Sequence, residues 1–150
     1  MRAVLQRVSS ARVFSNGTLT GGIGKGIALL IGFSPSDSER DIDYILEKTL
    51  NLRIFDDENG KMNLSLLDVS GGLLVVPNFT LYGDARTGRR PGYSDAAGPL
   101  KAEELFNVFC AETEKSPVSS SGFGRFRSDM RLELSNDGPV TILLDSGKKF

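Results

Sequence analysis

The segment Met130-Arg131-Leu132-Glu133-Leu134-Ser135-Asn136-Asp137-Gly138-Pro139-Val140-Thr141-Ile142-Leu143-Leu144 holds two alternating apolar runs, Met130 to Leu134 and Val140 to Leu144, around Asn136–Thr141. Alternation with period two is the signature of a half-buried strand. The segment therefore predicts a hairpin whose turn is residues 136–141. Gly138 can take backbone angles closed to other residues, and Pro139 fixes its own φ and has no N–H. An X-Pro bond is also where a cis peptide is cheapest, ~0.5–1 kcal/mol above trans. The six residues fit a strand-connecting turn, or a stiff main-chain wedge that checks the shape of a ligand.

The chain before this segment supplies more strands and two helices. Residues 2–14 carry Val4, Val8, Val13 and Phe14 and end at Asn16-Gly17, a strong hairpin signal, with Leu19 to Gly22 returning as partner. Gly21–Gly26 leads into the buried-strand run Ile27–Ile31. A phosphate loop needs Gly-Lys-Ser/Thr opening a helix; here Lys25 precedes Gly26 and a strand follows, so a second hairpin turn is expected. Ser36-Asp37-Ser38-Glu39 has capping-box spacing ahead of a helix on Ile42, Ile45, Leu46 and Leu50. Arg53-Ile54-Phe55 resumes extended structure, and Asp57-Glu58-Asn59-Gly60 turns the chain. Leu73–Leu81 looks like a central strand, yet Pro77 lies in it, which predicts an edge or a bulge with main-chain groups left free near Asn78-Phe79-Thr80. Residues 83–99, rich in Gly, Pro, Arg and Asp, read as a long functional loop. Leu100–Lys115 reads as a second helix, Ser116–Gly124 as a flexible linker, and Lys148-Lys149-Phe150 as a frayed tail. Mostly strands with two helices means α+β, expected as one domain over residues 1–150.

Composition narrows the chemistry. Charged residues at 25% and apolar residues at 39% suit an ordinary globular chain, and no apolar run reaches the ~20 residues of a membrane span. The N-terminus lacks the apolar core of a signal peptide, so a cytoplasmic location without membrane contact is expected. There is no histidine, which removes Ser-His and Cys-His pairs and the usual metal ligands. The single cysteine, Cys110, excludes an internal disulfide, and its place on an apolar helix face favours a packing role over a nucleophile. Neither a metal nor a cofactor is expected. With a net charge of -1, nucleic-acid contact would rely on local clusters such as Arg86-Thr87-Gly88-Arg89-Arg90 or Arg125, Arg127 and Arg131.

Six collinear stretches carry a family resemblance: residues 1–8, Asn51–Phe55, Gly60–Leu66, Phe79–Tyr82, Gly88–Pro91 and Asn136–Thr141. Over nearly its whole length the chain resembles the D-aminoacyl-tRNA deacylases. The resemblance implies a barrel-like, mainly antiparallel or mixed sheet and a homodimer. In that dimer each subunit lends a cis Gly-Pro dipeptide, here Gly138-Pro139, to its partner's site. It implies hydrolysis of the ester between a D-amino acid and the terminal ribose of tRNA, some activity on glycyl-tRNA, and rejection of L-aminoacyl-tRNA. Pro77-Asn78-Phe79-Thr80-Leu81 maps onto the family's Ser-Gln-Phe-Thr-Leu signature. The amides of Phe79 and Thr80 are then the expected oxyanion donors, with Thr80 orienting groups or acting as nucleophile. Arg7 matches the arginine that steadies the wedge, and Asn136, Val140 and Thr141 complete its motif.

This chain departs from the family at Pro77-Asn78, and Arg127-Ser128 replace small residues usual before Met130. A related branch specific for an L-aminoacyl-tRNA also has proline at position 77 and carries the dipeptide trans. L-specificity is therefore the alternative expectation, beside a catalytically silent module for binding RNA ends or for dimerisation, and a thiol enzyme using Cys110.

Overall fold

One long strand organises the molecule. In the computed structural model, which describes residues 1–150, β1 (Arg2–Ser15) runs 14 residues and is paired along both edges. Asn16 and Gly17 have φ of 48° and 81°, the double positive-φ turn that an Asn-Gly pair favours, and β2 (Thr18–Ile23) returns antiparallel.

The expected second hairpin at 21–26 is not there. β3 (Gly26–Gly32) continues in the direction of β2 and pairs with Arg2–Val8 of β1, while β2 takes Ala11–Ser15. The glycines let the chain bend without reversing, because β1 is long enough to offer a second stretch of the same edge.

Helix α1 (Glu39–Asn51) buries Ile42, Ile45, Leu46 and Leu50 as the periodicity requires. Its cap lies two residues later than the sequence spacing indicated: the Ser38 amide donates to Asp41 Oδ2 at 2.8 Å. β4 (Phe55–Asp56) and β5 (Met62–Leu64) form a small hairpin around residues 57–60.

β6 (Gly72–Pro77) is a central strand, parallel to β3 on one side and to β7 (Ser120–Phe123) on the other. Pro77 does not make it an edge. It is the last residue, beyond the stretch that β7 reaches, so its missing donor breaks no ladder bond on that side. β7 also corrects the flexible linker expected over Ser116–Gly124. Its small residues permit a close approach: a Cβ on Gly122 would lie 2.8 Å from the Gly22 nitrogen, and one on Gly21 2.6 Å from the Phe123 nitrogen. The β2 and β7 backbones meet there, and the sheet curls nearly into a barrel.

Between these elements, α2 (Pro99–Lys115) packs Leu105, Phe106 and Phe109 against the sheet. Both helices cover one face, with Leu5, Leu29, Ile31, Leu73 and Val75 beneath them. The other face holds Val8, Val13, Ile23, Ala28, Leu74 and Val76 inside the curl. β3 and β6 are thus buried on both faces, which is why they read as unbroken apolar runs. No helix is long and apolar enough to cross a membrane.

Residues 130–144 do not form the expected hairpin. Met130–Asp145 is one strand, β8, lying antiparallel along the whole of β1. Thr141 pairs with Gln6 and Asn136 with Val8, so four residues of β8 lie opposite a single residue of β1. Asp137–Val140 bulge outward opposite Arg7, and both flanks then rejoin the same ladder. A bulged strand and a hairpin share the same alternation; the length of β1 decides between them.

Candidate active site

Two clusters gather the residues singled out in the sequence. The first lies where β6 ends. The Asn78 amide donates to the Ile31 carbonyl at 2.6 Å, the last bond of the parallel ladder, and Phe79–Tyr82 then form a single 3-10 turn. Asn78 caps this turn, its Oδ1 accepting from the Thr80 amide at 3.2 Å and from the Thr80 hydroxyl at 2.5 Å. The Phe79 amide donates to no protein acceptor. Phe79 is 56% exposed and meets Tyr93 edge-on at 5.2 Å.

Pro77, Asn78 and Phe79 form one wall of a cavity of about 910 Å³ at the mouth of the curled sheet. Its floor is apolar (Leu30, Val76, Met130, Leu132), and its other walls come from Tyr93, the start of α2 and the β7–β8 loop. The loop expected over 83–99 contributes directly, since Tyr93 and Ala96–Gly98 line the cavity and the Ala97 amide donates to the Phe33 carbonyl at 2.7 Å. None of these loop residues was legible as a site residue, because nothing local ties them to position 79. Thr80 is adjacent to the cavity but not in its lining.

The second cluster is the β8 bulge. Arg7 is 6% exposed and lies beneath it. The guanidinium donates to the Ile54 carbonyl at 2.6 Å and the Asp137 carbonyl at 3.1 Å, and it pairs with the carboxylates of Asp56 at 3.5 Å and Asp137 at 3.4 Å. Gly138 has φ of 124°, and an added Cβ would sit 3.0 Å from Arg7 Nη2 and 2.9 Å from Val140 Cγ2. The Gly138–Pro139 bond is cis. Thr141 donates to Gln6 Oε1 at 2.5 Å, anchoring the downstream flank. Asn136, Gly138 and Pro139 are exposed. None of the bulge residues lines the cavity, so the structure assembles each cluster and does not bring the two together within one chain.

Titration behaviour sets other groups aside. Burial, with Glu114 nearby, pushes the Cys110 thiol up to about 12, and Cys110 is not in the cavity lining. Burial also pushes the Tyr82 phenol up to about 12, reinforced by Asp37. In the 83–99 loop, hydrogen bonds from Arg86 hold the Asp84 carboxyl far below its usual range. The first two stay protonated and the last ionised at neutral pH, and the polar groups nearest the turn after β6 are its own main chain, Asn78 and Thr80, with Asn16, Arg127, Ser128 and Asp129 on the other walls.

Known proteins match the chain along nearly its whole length. Residues 4–145 match the family model described as D-Tyr-tRNA(Tyr) deacylase. The chain belongs to that family. Curated relatives named D-aminoacyl-tRNA deacylase include one from Thermosipho melanesiensis, 53% identical, and one from Clostridioides difficile, 54% identical, each aligned over all of both chains. Among solved structures, the c-Myc DNA Unwinding Element Binding Protein superposes with a TM-score of 0.89 at 36% identity, over 97% of this chain and 98% of that one. A probable eukaryotic D-amino acid tRNA deacylase shares the fold, with a TM-score of 0.83 at 17% identity over 95% and 97% of the two chains.

Proposed function

We propose that this deacylase-family chain hydrolyses the ester of D-aminoacyl-tRNA, releasing free amino acid and tRNA. It rejects L-aminoacyl-tRNA by a main-chain wedge from a partner subunit. The observation that carries the reading is the Asn78–Thr80 turn: a fixed bend with an unused Phe79 amide, at the wall of a cavity sized for a nucleoside and an amino acid.

The chemistry follows from what the turn offers. Water adds to the ester carbonyl carbon, the oxyanion forms against the Phe79 N–H, and the carbon–oxygen bond to the ribose breaks as that oxygen takes a proton. A preorganised donor of this kind contributes roughly 2.7–4 kcal/mol to the transition state. The Thr80 amide donates to Asn78 Oδ1 at 3.2 Å and serves as a second donor once the Asn78 side chain releases it. The Thr80 hydroxyl spends its proton on an amide oxygen, which accepts a hydrogen bond but is no base, and its lone pairs remain to receive water or the neighbouring ribose hydroxyl. Thr80 is therefore an orienting group, not the nucleophile.

The wedge reading rests on Arg7. A buried guanidinium fixes the bulge from below while Gly138 and Pro139 stay exposed, where their main chain would crowd an L side chain at the α-carbon. Backbone atoms cannot swing aside as a rotamer can, and glycine, having no Cβ, escapes the exclusion, so glycyl-tRNA is a further substrate. Homodimerisation delivers the wedge. β8 supports it with an outer edge unpaired along 16 residues and with Leu134 and Leu143 36% and 56% exposed. The test is hydrolysis of D-tyrosyl-, L-tyrosyl- and glycyl-tRNA by purified protein, with its mass in solution measured alongside. Tight binding of aminoacyl-tRNA without release of amino acid would favour a silent RNA-end module instead.

A further inference from the structure

The β7–β8 loop, residues 124–129, forms the rim of the cavity opposite Asn78, and it is pinned at both ends. Asn16 and Asp129 exchange two hydrogen bonds, at 2.9 and 3.3 Å, and the Gly124 amide donates to the Val75 carbonyl at 2.8 Å. Within the loop, the Ser128 hydroxyl donates to the Arg125 carbonyl at 2.8 Å. Between these ties Arg127 has φ of 55°, in the left-handed region where a side chain is disfavoured. Strain of this kind persists where the surroundings impose it, and it aims the side chain where ordinary angles would not.

Arg127 is exposed and lines the cavity. Its neighbours Arg12 and Arg131 share Glu133, at 3.2 and 3.1 Å. No carboxylate lies within ion-pair distance of Arg127, and its guanidinium donates to no carbonyl. The only other charged residue in the cavity lining is Asp129. A planar, permanently charged fork held at the rim of a chamber with an apolar floor suits a phosphate, which it can grip with two N–H groups at once.

We propose that Arg127 is a substrate-binding residue that takes the phosphodiester on the 5′ side of the terminal nucleoside. It makes the chain read the polynucleotide end of its substrate and not the aminoacyl-nucleoside alone. The inference rests on the deacylase reading for the identity of the RNA, and it concerns binding, which is measured separately from turnover.

The test compares affinities for CpCpA, the 3′ sequence common to tRNAs, and for adenosine, using intact wild type, R127Q, R127K and R127G. Wild type is expected to bind CpCpA roughly 10-fold more tightly than adenosine, the scale of one charged hydrogen-bonded contact. R127Q should bring the two within about 3-fold and reduce the slope of log affinity against log salt by about 1, and R127K should restore the slope. R127G should behave as R127Q although it relieves the left-handed strain, which separates charge from backbone shape. An unchanged ratio and slope in R127Q would overturn the proposal, as would wild type that binds both ligands equally or neither. Protein that binds CpCpA through Arg127 but releases no amino acid from D-tyrosyl-tRNA would sink the deacylase reading and leave this one standing.

Discussion

The β8 bulge and the turn after β6 are both short interruptions at a proline, yet they are held in opposite ways. The bulge is tied by long-range contacts: Arg7 reaches Ile54, Asp56 and Asp137 from a buried position, and Gln6 receives Thr141. The turn is tied mostly to itself, through Asn78 and Thr80, with Phe79 largely exposed. In the proposed function the bulge judges shape and must not yield, and the wider fold holds it. The turn is proposed to meet the reacting ester and must present donors, and local capping leaves the Phe79 amide unspent.

Breaking the long-range side of this contrast should have the largest effect. Arg7→Met removes two charged hydrogen bonds to carbonyls and leaves the Ile54 acceptor in a buried setting and the Asp137 acceptor in a part-buried one. A loss of about 3 kcal/mol is expected, which thermal unfolding would show as a Tm drop of roughly 6–12 °C. Gly138→Ala puts a side chain at φ of 124° and a Cβ 3.0 Å from Arg7 Nη2. It should cost ~1–3 kcal/mol in chemical denaturation, and the preference for D- over L-tyrosyl-tRNA should fall at least roughly 10-fold, with the protein still folded. A wedge built from mobile side chains would show the same stability cost and keep the preference.

On the local side, Thr80→Ala should slow single-turnover hydrolysis by roughly 10-fold, the loss of one orienting hydrogen bond. Complete loss of turnover would mean that the hydroxyl is the nucleophile after all. Cys110→Ala should change the rate by less than about 2-fold and stability by only ~1 kcal/mol, since it removes one half-buried sulfur. The thiol, protonated up to a pH of about 12, should also resist iodoacetamide at pH 8 in the folded protein. Rapid labelling with loss of activity would restore the thiol-enzyme alternative.

What was legible in the sequence divides along the same line. The Asn16-Gly17 turn, both amphipathic helices and the two-sided strands Ile27–Ile31 and Leu73–Val76 are set by nearest neighbours or by one period, and they stand where the pattern put them. The β8 bulge, the straight passage from β2 to β3 and the pairing of β7 were not, because each depends on what a distant strand offers: the length of β1, and the glycines that let β7 approach β2. The site divides likewise. Pro77–Thr80 and Gly138–Pro139 announce themselves by breaking a strand pattern. Tyr93, Ala97 and Met130 join the cavity only through the fold, and the left-handed angle of Arg127 leaves no trace in its neighbours.

The central claim is that fixed backbone, and no reactive side chain, decides which mirror image is cut. Side-by-side hydrolysis of D-tyrosyl-tRNA and L-tyrosyl-tRNA by the purified wild-type protein tests it most directly. Rapid release of D-tyrosine with the L-ester left at its spontaneous rate is the result expected; equal rates on the two esters, or release from neither, would contradict it.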